Sequence, residues 1–176
     1  MSVRRLLAPT LALGLLAAAL TGPQASAATW VDEVRDATAP YKSVAKAEAD
    51  GYGLFADAEG LTCIEHHHDG GMGVHYVHGK RVGDAKVKSR KPEALVYEPA
   101  ANGKLKLVAL EYIVFKSAWR AEHPSGKPSL KGQKFTLVPA GNRYGIPAFY
   151  ELHLWAWKDN PAGLYADYNP DVSCPA

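Results

Sequence analysis

The run K-L-K-L-V-A-L-E-Y-I-V-F-K, residues 104–116, decides the reading of this chain. Between its outer lysines only Lys106 and Glu111 carry charge. Branched and aromatic side chains favour strands, and apolar residues on both parities predict a strand over 105–116 buried on both faces. Residues two apart share a face of a strand. Glu111 therefore falls in the row of Leu107, Ala109, Ile113 and Phe115, with Lys106 and Lys116 on the other. An ionised carboxylate held unpaired in such a row is very costly. Glu111 must be neutral, paired or bound to a cation.

Outward from this run, Gly, Pro, Asn and Asp clusters punctuate shorter β-favouring runs. Strands are predicted near 61–65, 72–78, 93–98, 134–138 and 147–157, with loops at 79–92, 117–133 and 139–146. In the second clearest run, Ala148 to Trp157, His153 shares its row with Phe149, Trp155 and Trp157. Residues 29–50 read as helix, from the spacing of Val31, Val34, Tyr41, Val44 and Ala45. Pro40 breaks it and suits the first turn of a second helix, with Thr38 as cap and Gly51 as terminator. The tail from Asn160 is irregular, and Tyr165 and Tyr168 would pin it. The fold class expected is α+β: N-terminal helices packed on a strongly curved antiparallel β-sheet, or a partly closed barrel.

Residues 1–27 have the layout of a secretory signal peptide. Arg4 and Arg5 precede an apolar run from Leu6 to Leu20, and Ala25-Ser26-Ala27 is a small-x-small cleavage site. The run is short of the ~20 apolar residues of a membrane span, and Gly22-Pro23 interrupts it. The expectation is a secreted protein with no membrane attachment after cleavage, its residues 28–176 forming one α+β domain. The chain has 20 Lys+Arg and 18 Asp+Glu. Arg4 and Arg5 account for the excess, so the mature part lacks the basic footprint of a nucleic-acid binder. An apolar content of 47% excludes disorder. Cys63 and Cys174 are the only cysteines. In an exported chain a disulfide is their default reading, with free thiols or metal ligation as the alternatives.

No G-x-S-x-G elbow, phosphate loop, H-E-x-x-H or helix-opening G-x-G-x-x-G occurs. What remains is His and Glu on strands: His75 in M-G-V-H-Y-V, Glu98 at the end of A-L-V-Y-E, Glu111, and His153. Strands lie ~4.8 Å apart, so side chains from several of them can surround one point. Two His with one or two Glu suit a divalent transition metal: Zn, Cu, Mn or Fe. The expected ligands are His75, Glu111 and His153. Glu98 is either a fourth or a strand-end residue before Pro99. Tyr76, Tyr112, Tyr150 and Trp155 lie on the same strands and are the expected pocket walls. Plainer readings are a Glu–His pair without metal, and Glu111 paired with Arg120 or Arg143. Glu98 and Glu111 are also the one strand-borne carboxylate pair with a glycosidase-like look. The run E-H-H-H-D-G-G at 65–71 reads as a solvated loop. Its H-x-H pair fails comparison with cupin metal sites, because no Glu follows at the required spacing.

The strings G-M-G-V-H-Y-V (71–77), P-E-A-L-V-Y-E-P (92–99), L-V-A-L-E-Y (107–112), G-I-P-A-F-Y-E-L-H-L-W-A-W (145–157), N-P-A-G (160–163) and Y-N-P-D-V-S-C (168–174) resemble an uncharacterised family of exported bacterial proteins. They span about residues 51–174, and His75, Glu98, Glu111 and His153 fall on them, while His66, His67 and His68 do not. The resemblance implies one domain with one site and supplies no substrate. Three functions fit the residues. The first is a secreted metalloprotein, able to act on water or oxygen if the metal keeps open positions. The second is a non-catalytic module for a small apolar ligand. The third is an extracellular interaction domain.

Overall fold

The computed structural model describes residues 23–175, with side chains from residue 29. Arg4, Arg5 and the apolar run of the expected leader lie outside the described residues. Helix α1, Pro23–Thr38, includes the residues of the expected cleavage site. A 3-10 turn, Ala39–Lys42, and helix α2, Val44–Ala49, follow. The break falls at Pro40 as expected, but Thr38 caps nothing. Its hydroxyl donates to the Val34 carbonyl at 2.7 Å, and Ser43 caps α2 instead by accepting from the Lys46 N–H. Among the described residues no helix is long and apolar enough to cross a membrane.

The strands are β1 (Gly53–Leu54), β2 (Cys63–His66), β3 (Gly70–Val77), β4 (Ala94–Pro99), β5 (Leu105–Phe115), β6 (Ser129–Leu130), β7 (Gln133–Lys134), β8 (Thr136–Val138) and β9 (Phe149–Leu154). Seven of them form one antiparallel sheet in the order β1-β3-β4-β5-β9-β8. In it, β1 pairs with residues 76–77 of β3 and β2 with residues 70–74. The expected strong curvature or barrel closure is not found. The path ends at a two-residue strand on one side and a three-residue strand on the other, and no ladder joins them. A barrel needs edge strands long enough to pair. Two predicted loops also hold structure: helix α3, Gly79–Val82, lies in one, and helix α4, Lys116–Glu122, with β6 lies in the other.

The central strands are buried on both faces. On one face Val74, Tyr76, Leu95, Leu110, Tyr112, Tyr150 and Leu152 pack with Trp30, Val31 and Val34 of α1. On the other, Ala94, Ile113 and Phe149 form one cluster. Val96, Ala109, Trp155 and Val172 form a second. A β-bulge changes the parity of β5: Val96 pairs with Ala109 and Tyr97 with Leu107, which leaves Val108 unpaired. Leu107 is thereby turned into the helix-side core, away from the row in which strict alternation places it with Glu111.

The tail folds back over the second face. Cys63 and Cys174 form a disulfide with a Cα–Cα distance of 5.7 Å. Closing a loop of 111 residues contributes about 4–5 kcal/mol in the chain-entropy picture. Gly71 N–H donates to the Val172 carbonyl at 2.7 Å. Gly70 takes φ +84°, and a Cβ there would stand 2.2 Å from the Asn169 carbonyl oxygen, so only glycine fits under the tail.

Candidate metal centre

Three side chains from three strands meet on the face opposite α1. Glu111 on β5 and His153 on β9 are direct cross-strand partners. Such partners have Cβ atoms about 5 Å apart. His75 comes from β3, one strand further off. Between β3 and β5 stands Ala94, which pairs with Val77 on one side and with Glu111 on the other. His75 itself pairs with Val96, two residues further along β4 on the same face, and reaches diagonally toward β5, where its Nε2 lies 3.5 Å from Glu111 Oε2. The His75 and His153 rings are 5.8 Å apart and perpendicular at 89°. One donor atom from each of the three residues lies within 4.8 Å of the others. A metal at 2.0–2.2 Å from each needs donors about 3–3.5 Å apart, which rotamer adjustments of about an ångström supply.

All three are buried, His153 completely so. Burial pushes His75 down to about 4, against a backbone hydrogen bond at Gly73 that opposes the shift. Burial, then the neighbouring His75, pushes His153 down to about 3. Both imidazoles are therefore neutral near pH 7, the form that ligates metals. Glu111 is pushed well above the usual carboxylate range by burial, then by the Glu151 charge and a hydrogen bond with Glu151. Glu151 rises to about 7, chiefly by burial and then by Asp167, and its bond with Glu111 opposes the rise. The two carboxyl groups thus share a proton at neutral pH when no cation is present.

His153 carries the main electrostatic anomaly. Neither Nδ1 nor Nε2 has a hydrogen-bond partner. Asp167 Oδ1 lies 3.7 Å from Nδ1, beyond hydrogen-bond reach. Buried polar groups are nearly always paired, so an imidazole with two orphaned nitrogens leaves a donor and an acceptor position to be filled.

A cavity of about 350 Å³ opens beside the cluster, with His75 and Glu111 at its polar end and Phe55, Ile113, Tyr144 and Phe149 among its walls.

The remaining expected residues lie elsewhere. Glu98 is not at the centre; its carboxylate accepts from Lys158 Nζ at 2.7 Å. The glycosidase-like pair with Glu111 falls with it. Tyr76, Tyr112 and Tyr150 belong to the helix-side core, because each has the parity opposite to the His or Glu of its own strand. Trp155 is beside the centre, its ring stacked 6.4 Å from that of His153. Arg143 pairs with Asp57 at 2.7 Å and Arg120 donates to the Pro124 carbonyl, so neither engages Glu111. His66, His67 and His68 are exposed, and His66 pairs with Asp69 at 2.7 Å. Two members were missed. Glu151 was legible, since it lies two residues from His153 and shares its face. Asp167 was not, because only the folded tail brings it to His153.

The fold and site define an α+β protein with an open antiparallel sheet and a buried His-Glu-His cluster on the face opposite α1. No protein-family model, curated protein or solved structure matches the chain.

Proposed function

We propose that this is an exported metal-binding protein in which His75, Glu111 and His153 hold one divalent transition metal, Zn, Cu, Mn or Fe. The observation that carries the reading is the fully buried His153 with both ring nitrogens unpartnered, facing His75 and Glu111 within ligating range. A cation there would take one imidazole nitrogen, displace the proton from Glu111 and lift the desolvation penalty on its carboxylate. Two histidines and one carboxylate leave coordination positions open, and a metal so held supplies Lewis acidity for water or oxygen chemistry. The chain's own residues would do the rest. Glu151 orients Glu111 through their shared hydrogen bond. Asp167 stands on the Nδ1 side of His153, where a small closure would let it accept that N–H and leave Nε2 for the metal. The signal-like leader and the Cys63–Cys174 disulfide support an oxidising, extracellular destination.

Elemental analysis of residues 28–176, purified without tag or chelator, tests this. One metal per chain is expected, lost in Glu111→Ala and in His153→Ala. Absence of metal, with a melting temperature unmoved by added Zn, Cu, Mn or Fe, overturns the reading.

A further inference from the structure

The cavity beside the cluster has a composition that selects its occupant. Its volume of about 350 Å³ lies at the small end of ligand pockets. Aromatic rings form one wall: Phe55 and Tyr144 have centroids 5.9 Å apart, and Tyr144 and Phe149 likewise 5.9 Å. Ile113 and Val77 supply aliphatic surface. The polar atoms in the lining side chains are those of His75, Glu111 and the Tyr144 hydroxyl, and the last makes only a long bond to Met72 Sδ at 3.7 Å. No lysine or arginine lines the cavity. A carboxylate or phosphate entering it would lose hydration without gaining a cationic side chain. A neutral hydroxyl can both donate and accept.

The rim is kept open by glycine. Gly53 pairs with Val77, so a side chain at Gly53 would project from the same face as Val77, into the mouth. A Cβ at Gly53 or at Gly79, which also lines the cavity, meets nothing within 4 Å. Neither glycine has a positive φ. Backbone geometry therefore does not require glycine at either position, and what its absence of a side chain leaves is room at the entrance.

We propose that this cavity binds a small phenol, with its ring among Phe55, Tyr144 and Phe149 and its hydroxyl directed at His75 and Glu111. The inference rests on the metal-centre reading only for what the hydroxyl oxygen meets in the loaded protein, where it would complete the metal's coordination. The ring's place follows from the cavity itself.

The test is calorimetric titration of 4-methylphenol into the chelator-treated protein and into the Co(II)-treated protein, whose visible bands report the metal's ligands. Saturable one-to-one binding is expected, with 4-methylbenzoate at least tenfold weaker on the chelator-treated protein. Gly53→Phe should weaken phenol binding at least tenfold while leaving Co(II) uptake and the melting temperature unchanged, and Gly79→Phe should do the same from the other side of the rim. Absence of saturable binding to both forms of the wild type overturns the proposal, as does equal binding of the benzoate to the chelator-treated form or phenol binding within twofold of wild type in both variants. Phenol binding without Co(II) uptake supports the cavity assignment and refutes the metal centre. Co(II) uptake without phenol binding does the reverse.

Discussion

His153→Leu separates the structural and functional accounts of the buried cluster. Leucine is close to histidine in volume, and the position is fully buried between His75 and Trp155. In the metal-free protein both ring nitrogens lack partners. Each unsatisfied buried polar group costs about 1–3 kcal/mol, and the change of shape costs up to about 1.5 kcal/mol. With the low value of about 1 kcal/mol for each nitrogen, the substitution should stabilise the chelated protein by about 0.5–2 kcal/mol, against the usual direction for a fully buried site. For a domain of this size that is a rise in melting temperature of about 1–8 °C. The same variant should lose its response to metal, whereas Zn at a hundred times its Kd stabilises the wild type by about 2.7 kcal/mol. Thermal melts followed by circular dichroism, with chelator and with Zn, read both arms. A chelated His153→Leu less stable than wild type by more than 1 kcal/mol would show that the imidazole is satisfied after all. An undiminished Zn response in the variant would remove His153 from the ligand set.

The pH dependence of the chelated protein has a definite sign. Burial holds His75 and His153 below their ordinary 6.5, at about 4 and about 3, so they favour folding above pH 6.5 and that contribution is lost as pH falls. Burial raises Glu93 and Glu151 from 4.5 to about 8 and about 7, and Glu111 well above 4.5, so these favour folding below pH 4.5 and lose that effect as pH rises. Three carboxyls against two imidazoles leave about one unbalanced proton between pH 4.5 and 6.5, or about 1.4 kcal/mol per pH unit, and about two to three once the unfolded imidazoles are also neutral above pH 6.5. Urea unfolding should show the chelated protein less stable at pH 8 than at pH 5; equal stability counts against the buried carboxyl cluster. Ala94→Leu should crowd Glu111, its cross-strand partner. Overpacking beside Glu111 would cost about 1–3 kcal/mol, and metal uptake should vanish in a protein that still melts cooperatively; retained uptake would count against Glu111 as a ligand. Asp167→Asn should weaken metal binding about 10–100-fold by removing the carboxylate behind His153, with the fold intact. Competition against a coloured chelator measures this, and an unchanged Kd would make Asp167 a bystander.

Much of the sheet was legible because alternation is a local steric property of an extended chain. The expected strand over 105–116 is observed as Leu105–Phe115, and that over 72–78 as Gly70–Val77. The same rule, applied to neighbours, places Tyr112 opposite Glu111 and Tyr76 opposite His75, so those tyrosines could not wall a pocket with them. Alternation failed at Leu107, where a bulge set by pairing with β4 inverts the parity. It is silent on Glu98, whose partner Lys158 lies 60 residues away along the chain.

By itself the sequence determined the longer strands, the helix break at Pro40, the two cysteines available to pair, and the rows that hold Glu111 and His153 among apolar neighbours. These follow from side-chain size, polarity and spacing along a few residues. Only the tertiary structure decided that the sheet stays open, that His75 reaches Glu111 across β4, and that the tail carries Asp167 to His153. Strand order and register are choices among distant partners. They are settled by the joint burial of whole faces, a property that no short stretch of the chain contains.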